Sequence, residues 1–239
     1  MNGKELDTRI RKAADALPVV SPALLTSITA GLKPAMRPVK PLAPTWVLAT
    51  RLFLAAAGVA FVSAASAGLA GVESLGILRA TVILAALALL LGLAATEQVH
   101  SMIPGSRHLL GPLPLVISCC LALAALFAAE FHDYRTTSFV ASGIACLIAG
   151  LERAIPAGIL VWLLMRRGFA INPVAAGATA GAVAGLAGVV FLELHCTNFE
   201  TLHILAWHTA VLPASAVLGA AAGALAWAAS RLRTRSPIR

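Results

Sequence analysis

An all-α membrane protein is the predicted fold class: six transmembrane helices, both termini in the cytoplasm, and a short cytoplasmic N-terminal tail. Three observations predict it. Of 239 residues, 59% are hydrophobic and only 12% charged, with a mean hydropathy of +0.89, whereas soluble domains carry roughly 25% charged residues. The apolar residues fall into runs of about 20, the length that crosses a bilayer core. The basic residues collect on one side of the membrane that those runs imply. Disorder, which requires low hydrophobicity, is excluded along with a soluble globule.

The runs lie near 46–69, 78–95, 113–129, 139–165, 173–193 and 208–229. Residues 1–45 contain no apolar stretch of the secretory-signal kind. The tail is therefore expected to remain in the cytoplasm with Lys4, Arg9, Arg11, Lys12, Lys33, Arg37 and Lys40. Six crossings return the C-terminus to the same side with Arg231, Arg233, Arg235 and Arg239. With Arg107, Arg166 and Arg167, fourteen basic residues lie inside, against Arg79 and Arg135 outside; Arg51 and Arg153 fall within spans. The net charge of +8 thus reads as an orientation signal. A single-strand nucleic-acid surface would interleave aromatic residues with the basic ones, and none do so here. The domain plan is a tail and linker at 1–45, a bundle at 46–230 and a basic C-terminus at 231–239.

The fifth span repeats Gly177, Gly181 and Gly185, with Gly188 one turn on. Glycines four apart share a helix face and permit close approach of a neighbouring backbone. The fourth span holds Glu152 and Arg153 near its middle, followed by Pro156, which removes the N–H that would reach the Glu152 carbonyl. Adjacent residues point about 100° apart on a helix, so each charge is expected to seek a partner across the bundle, with Arg51 a candidate for Glu152. Charged residues inside a membrane are functional suspects; a buried structural pair is the other reading.

Chemistry-bearing residues gather near the external end of span five, in Glu193-Leu194-His195-Cys196, Glu200, His203, Trp207 and His208. His195, Cys196, His203 and His208 are candidate transient metal ligands, although Cys-x6-His-x4-His matches no standard zinc spacing. Of the four cysteines, Cys119 and Cys120 sit in apolar span three and read as small packed residues. Cys146 lies about 10 Å inside the start of span four by helical rise, and Cys196 just past span five on the same side. A disulfide needs Cα atoms within about 7 Å, and the difference in depth leaves that pairing open. No nucleophile elbow, P-loop, His-Glu-x-x-His or Cys-x-x-Cys motif is present, so no enzyme is expected. Glu97 and His100 share a helix face, but at the opposite end of the bundle.

In the tail, Leu6, Ile10, Ala13, Ala14 and Leu17 recur at helical spacing up to Pro18. Ser21-Pro22 reads as an N-cap and first-turn proline, followed by a stripe of Leu24, Leu25, Ile28 and Leu32. Four prolines between 33 and 44 form an extended linker. Two short amphipathic helices cannot build a core alone. They must lie on the membrane, dock on the bundle or bind a cytoplasmic protein.

Several segments together resemble the NrsF-like membrane anti-sigma factors, negative regulators of extracytoplasmic-function (ECF) sigma factors in proteobacteria. They are Cys146-Leu-Ile-Ala-Gly150 with Pro156, Leu164-Met-Arg-Arg-Gly168, Pro173-Val-Ala-Ala-Gly177 with Gly181, Leu194-His-Cys196 and Ala206-Trp-His208. The resemblance covers about 146–230. It implies an inner-membrane protein whose tail holds a sigma factor away from RNA polymerase, with the stripe Leu6, Ile10, Leu17, Leu24, Leu25 and Ile28 as the contact. It also implies sensing of heavy metal or oxidant through Cys146 and Cys196. Engagement of these sulfurs is expected to shift spans four and five against each other along the glycine face. Its partners are then the sigma factor and the bilayer, with no cofactor and no direct nucleic-acid contact. The rival reading, a small transporter, draws on Glu152, Arg153 and the glycine-rich span, but lacks the inverted repeat of transporter folds.

The basic asymmetry generates a direct expectation. Reporter fusions ending at residues 72, 134 and 200 read as external, and a fusion at the C-terminus reads as cytoplasmic. A cytoplasmic signal at 200 would overturn the six-span arrangement.

Overall fold

The computed structural model describes residues 5, 7–9, 11, 12, 21–32, 42–137, 139–166, 168 and 170–235. The chain divides into two units, residues 1–42 and 43–239. In the first, residues 5, 7–9, 11 and 12 are helical, with ion pairs one turn apart joining Arg9 to Glu5 and Arg11 to Asp7. Ser21 caps the helix Pro22–Leu32, its Oγ accepting from the Leu24 N–H at 3.2 Å. This satisfies one of the donors that a helix start leaves unpaired. Leu24, Leu25, Ile28 and Leu32 stand exposed along it. Leu6, Ile10 and Leu17, and linker residues 33–41, lie outside the described residues.

The second unit is a bundle of six helices, here α1 (Thr45–Ala67), α2 (Ile77–Ser101), α3 (Pro112–Glu130), α4 (Phe139–Met165), α5 (Pro173–His195) and α6 (Thr209–Arg235). Each is long and apolar enough to cross a membrane. Among the described residues there is no strand, only an isolated bridge between Asp133 and Glu200. The sixth span starts earlier than its apolar run. A turn at Thr201–His203 and a π-helical segment at Ile204–His208 run directly into α6, so the connector after α5 shrinks to residues 196–200.

Helix α5 is the axis of the bundle: 67% of its apolar window is buried, against 22–28% for the other five spans. Small residues make this central position tolerable. A methyl at Gly177 would overlap the Gly219 backbone, one at Gly181 the Ser215 carbonyl, and one at Gly185 the Ser215 side chain. Ser215, Gly219 and Gly223 are themselves four apart, so two small-residue ladders lie against each other in antiparallel helices. The glycine face of α5 therefore meets α6 and not, as the sequence suggests, α4. Only Gly188 turns to α4, where a Cβ would overlap the Gly150 carbonyl. On the far side, α1 contributes Leu52, Ala56, Ala60 and Ala64 at every fourth position, all at most 1% exposed. Between α4 and α6 an apolar groove of about 860 Å³ remains, floored by Gly177, Gly181 and Ala184.

The intramembrane charges do not pair as expected. Glu152 and Arg51 are both exposed, and no ion pair joins them among the described residues. Arg153 lies half-buried with its guanidinium 5.5 Å from the centre of the Phe191 ring, a cation–π placement. The physical reason is angular: Arg153 falls one residue before the buried Ala154 on the inward face of α4, and Glu152 falls outside it.

The interlocked ladders set a stability expectation. Gly181→Val forces a side chain into the α6 backbone and should cost about 1–3 kcal/mol, the usual range for overpacking. Gly58→Ala, where a Cβ meets nothing within 4 Å, should be neutral. Thermal denaturation of the detergent-solubilised protein compares the two directly.

Candidate metal and thiol centre

Three segments converge at one end of α5. From α4 come Ser142 and Cys146, which are i and i+4 on a helix and so share a face. From the connector comes Cys196, the first residue after α5, in extended conformation with φ −73° and ψ 130°. From the π segment and the turn before it come His203 and His208. Ligand atoms of Cys146, Cys196, His203 and His208 all lie within 4.8 Å of one another. The two sulfurs are 3.6 Å apart and both cysteines are free thiols. The Cys196 Sγ lies 4.0 Å from His203 Nε2.

The depth difference does not separate the thiols, because the connector is too short to leave the bundle. It is tied down at both ends. The Thr201 N–H donates to the Asp133 carbonyl at 2.6 Å, Glu200 Oε1 accepts from the Thr137 N–H at 3.0 Å, and Phe131 stacks on Phe199. On the other flank, the short helix Ala70–Ser74 presses against the chain at Cys196, where a Cβ on Gly71 would touch the Cys196 and Glu193 backbones.

The π segment performs the decisive local step. In an α-helix, residues five apart point about 140° away from each other. A π turn bonds i to i+5, so His203 and His208 come to the same side, with ring centres 5.4 Å apart. Trp207 fills the space this creates: a methyl on Gly143 would collide with its indole, and Phe139 lies 5.6 Å away across the same contact. Gly143 thus admits the indole, one turn from Cys146.

Both imidazoles are oriented through Nδ1. His208, 1% exposed, has Nδ1 at 2.6 Å from Glu193 Oε1, itself on a 4% exposed residue. Its Nε2 is buried without a hydrogen-bond partner. His203, fully buried, has Nδ1 at 3.4 Å from Ser142 Oγ. The Cys196 thiol is pushed above its ordinary value by its hydrogen bond with Cys146 and then by burial, with His203 and His208 acting in the opposite sense. Two soft sulfurs and two imidazoles, held by surrounding acceptors, form a donor set suited to a transition-metal ion or to a redox-active thiol pair.

The sequence expected His195 in this group and assigned Cys146 only to thiol sensing. The structure exchanges them. His195 Nδ1 lies 3.0 Å from the Gly68 carbonyl and the ring stacks on Phe191, because successive residues leave the end of α5 in different directions. Cys119 is buried in the core along α3 with Leu115, Leu123 and Phe127, and neither it nor Cys120 belongs to the group. Glu97 is fully buried, accepting from the Leu109 N–H at 2.8 Å, and so braces the α2–α3 loop. The residues that the sequence did not assign to the centre are Ser142 and, in its role beside His208, Glu193.

A family model described as Negative regulator of sigma F, NrsF, matches residues 32–227. The chain belongs to the NrsF family. No curated protein and no solved structure matches it. The description is that of a regulator acting on a sigma factor, and the match begins ahead of α1 and ends within α6, so it adds the first half of the chain to the 146–230 stretch that carries the motifs.

The seating of Trp207 gives a measurable consequence. Gly143→Ala displaces the indole and, with it, the π segment; it should cost about 1–3 kcal/mol and loosen the cover over Cys196. Faster maleimide alkylation of Cys196, in a background with the other three cysteines changed to serine, is the expected readout. An unchanged rate would contradict the role given to the Gly143–Trp207 contact.

Proposed function

We propose that this protein is an inner-membrane anti-sigma factor with both termini in the cytoplasm. In this reading it retains an ECF sigma factor through its N-terminal tail and releases it when Cys146 and Cys196 meet a heavy metal or an oxidant. The observation that carries the reading is the meeting of these two thiols, 3.6 Å apart from separate segments, within a chain of the NrsF family. The asymmetry of the basic residues supports an external position for this end of the bundle, which in a bacterial inner membrane is the oxidising side.

Two chemistries suit the pair. A soft cation binds both thiolates. Alternatively, a two-electron oxidant such as a peroxide removes two electrons and two protons, leaves as water, and an S–S bond closes. Closure of the S–S bond pulls α4 toward the α5–α6 connector, whereas a bound soft cation resets the spacing of the two segments. Helix α4 runs 27 residues, about 40 Å at the helical rise, so a displacement at its external end is carried to Arg166 on the cytoplasmic side. Because the glycine face of α5 is locked to α6, the movable contact is that of α4 with the α5–α6 pair. A stimulus shifts such an equilibrium only by its differential affinity for the two states. Couplings of about 1–3 kcal/mol raise the free partner about 5- to 150-fold. Leu24, Leu25 and Ile28, exposed on a capped helix, offer an apolar contact for the sigma factor, joined in the proposed surface by Leu6, Ile10 and Leu17.

Two experiments test the halves of this reading. Leu6→Asp with Ile10→Asp places charges in an apolar contact, at several kcal/mol if buried there, and should release the sigma factor from membranes without affecting insertion. Retention would refer the tail to the membrane surface. Cys146→Ser and Cys196→Ser should each keep the sigma factor bound but blunt its release by cadmium or peroxide, whereas Cys119→Ser and Cys120→Ser respond as wild type. Release from the Cys146, Cys196 double variant would place the sensor elsewhere.

A further inference from the structure

We infer that Cys146, Cys196, His203 and His208 form a tetrahedral site for one resident zinc-class divalent cation, bound through both sulfurs and both Nε2 atoms, with Glu193 and Ser142 orienting the imidazoles. The inference deepens the sensor reading and rests on it only for the link to release. The binding itself rests on geometry.

The first argument is distance. In a tetrahedron with metal–sulfur bonds near 2.3 Å, the two sulfurs stand about 3.8 Å apart; here they stand 3.6 Å apart. A sulfur–nitrogen edge of the same polyhedron is about 3.5 Å, against 4.0 Å between Cys196 Sγ and His203 Nε2. The four ligand atoms span up to 4.8 Å, so closing the site draws the widest pair in by about 1 Å to reach a tetrahedral edge, a movement that side-chain rotation supplies. The second argument is the surrounding shell. Metal-bound histidines characteristically engage the other ring nitrogen with a carboxylate, carbonyl or hydroxyl, which fixes tautomer and ring plane. Both histidines do so, His208 Nδ1 with Glu193 and His203 Nδ1 with Ser142. The third is the buried His208 Nε2, which has no partner. A buried nitrogen lone pair left unsatisfied is unfavourable, and a cation within reach of the two thiolates satisfies it.

The donor set selects the class of ion. Two thiolates and two imidazoles suit zinc and exclude magnesium and calcium, which take oxygen ligands. Of the nearby carboxylates, Glu193 is engaged with His208 and Glu200 Oε1 with the Thr137 N–H, and neither falls within the group of four ligand atoms. The two positive charges of the cation balance the two thiolates, so the metal-bound core is less costly to bury than either thiolate alone. Four donors from protein leave no open position, the pattern of a structural site. Such a cation clips α4, the connector and the π segment together, and a softer ion competing for the sulfurs enters the same donors.

Cobalt(II) is the probe, titrated into full-length detergent-solubilised protein freed of metal with a chelator. Wild type is expected to bind one cobalt ion per chain. It should show the strong visible bands of tetrahedral coordination and a sulfur-to-metal charge-transfer band, all bleached by zinc. His203→Ala, His208→Ala, Cys146→Ser and Cys196→Ser should each lose the tetrahedral bands. Glu193→Gln should keep them with 10- to 100-fold weaker affinity, and His195→Ala should match wild type. Should a histidine variant fail to fold, X-ray absorption at the zinc edge of wild type replaces it, with two sulfur and two nitrogen neighbours expected. No tetrahedral cobalt spectrum in wild type, unchanged bands in folded His203→Ala and His208→Ala variants, or a zinc shell without sulfur would overturn the inference. Tetrahedral cobalt binding together with no sigma release on cadmium or peroxide challenge would leave it standing and refute the sensor reading; release on that challenge by a protein that binds no cobalt would do the reverse.

Discussion

Close contact between α5 and α6 is the constraint on which the rest of this molecule depends. Helices in a bilayer gain little from burying apolar side chains, since lipid is as apolar as leucine, and must associate through packing and polar contacts. Gly177, Gly181 and Gly185 against Ser215, Gly219 and Gly223 bring the two backbones together without intervening side chains. That approach carries the start of the sixth span down onto the end of the fifth. His208 then meets Glu193, and the connector between them is held to five residues. Elongated side chains on either ladder would lift the histidines away from the thiols.

Once the two helices are locked, the centre is completed from a third direction. Helix α4 presents Ser142 and Cys146 on one face, and Gly143 admits the Trp207 indole. The π segment is the irregular element that makes the arrangement possible, and π turns concentrate at functional positions because they cost regular hydrogen bonding. The result is a compact polar cluster at the end of an otherwise apolar bundle. Buried polar groups persist in such surroundings only when satisfied. Glu193, His208, His203 and Ser142 satisfy one another in pairs, leaving donor atoms directed to a shared purpose.

Much of this was legible in the sequence. The six spans followed from run length, and the Ser21 cap from its place before Pro22. The glycine ladder in α5 was visible, but its partner was misjudged: Ser215, Gly219 and Gly223 carry the same spacing in α6, and reading both ladders together would have paired the two helices. The donor set was less legible. Two histidines five apart do not share a face on an α-helix, so their spacing argued against a common site, and nothing in Ile204-Leu-Ala-Trp-His208 announces a π turn. Cys146 lay fifty residues from Cys196 and was placed at a different depth, because the apolar run starting at 208 concealed how early the sixth span begins. Intramembrane Glu152 drew attention by its charge alone, whereas its angular position puts it outside the packed face.

The central claim is that a thiol from α4 and a thiol from the α5–α6 connector meet in the membrane-embedded protein. It is tested most directly by trapping them. In a background with Cys119 and Cys120 changed to serine, a protease site is inserted in the connector between α4 and α5. Membranes are then treated with diamide, digested, and run on a denaturing gel without reductant. The two fragments should remain joined as one full-length species until reductant separates them, and Cys146→Ser or Cys196→Ser should abolish the joining. Fragments that separate without reductant, although both thiols are intact and oxidant is present, would contradict the convergence of α4 and the α5–α6 connector.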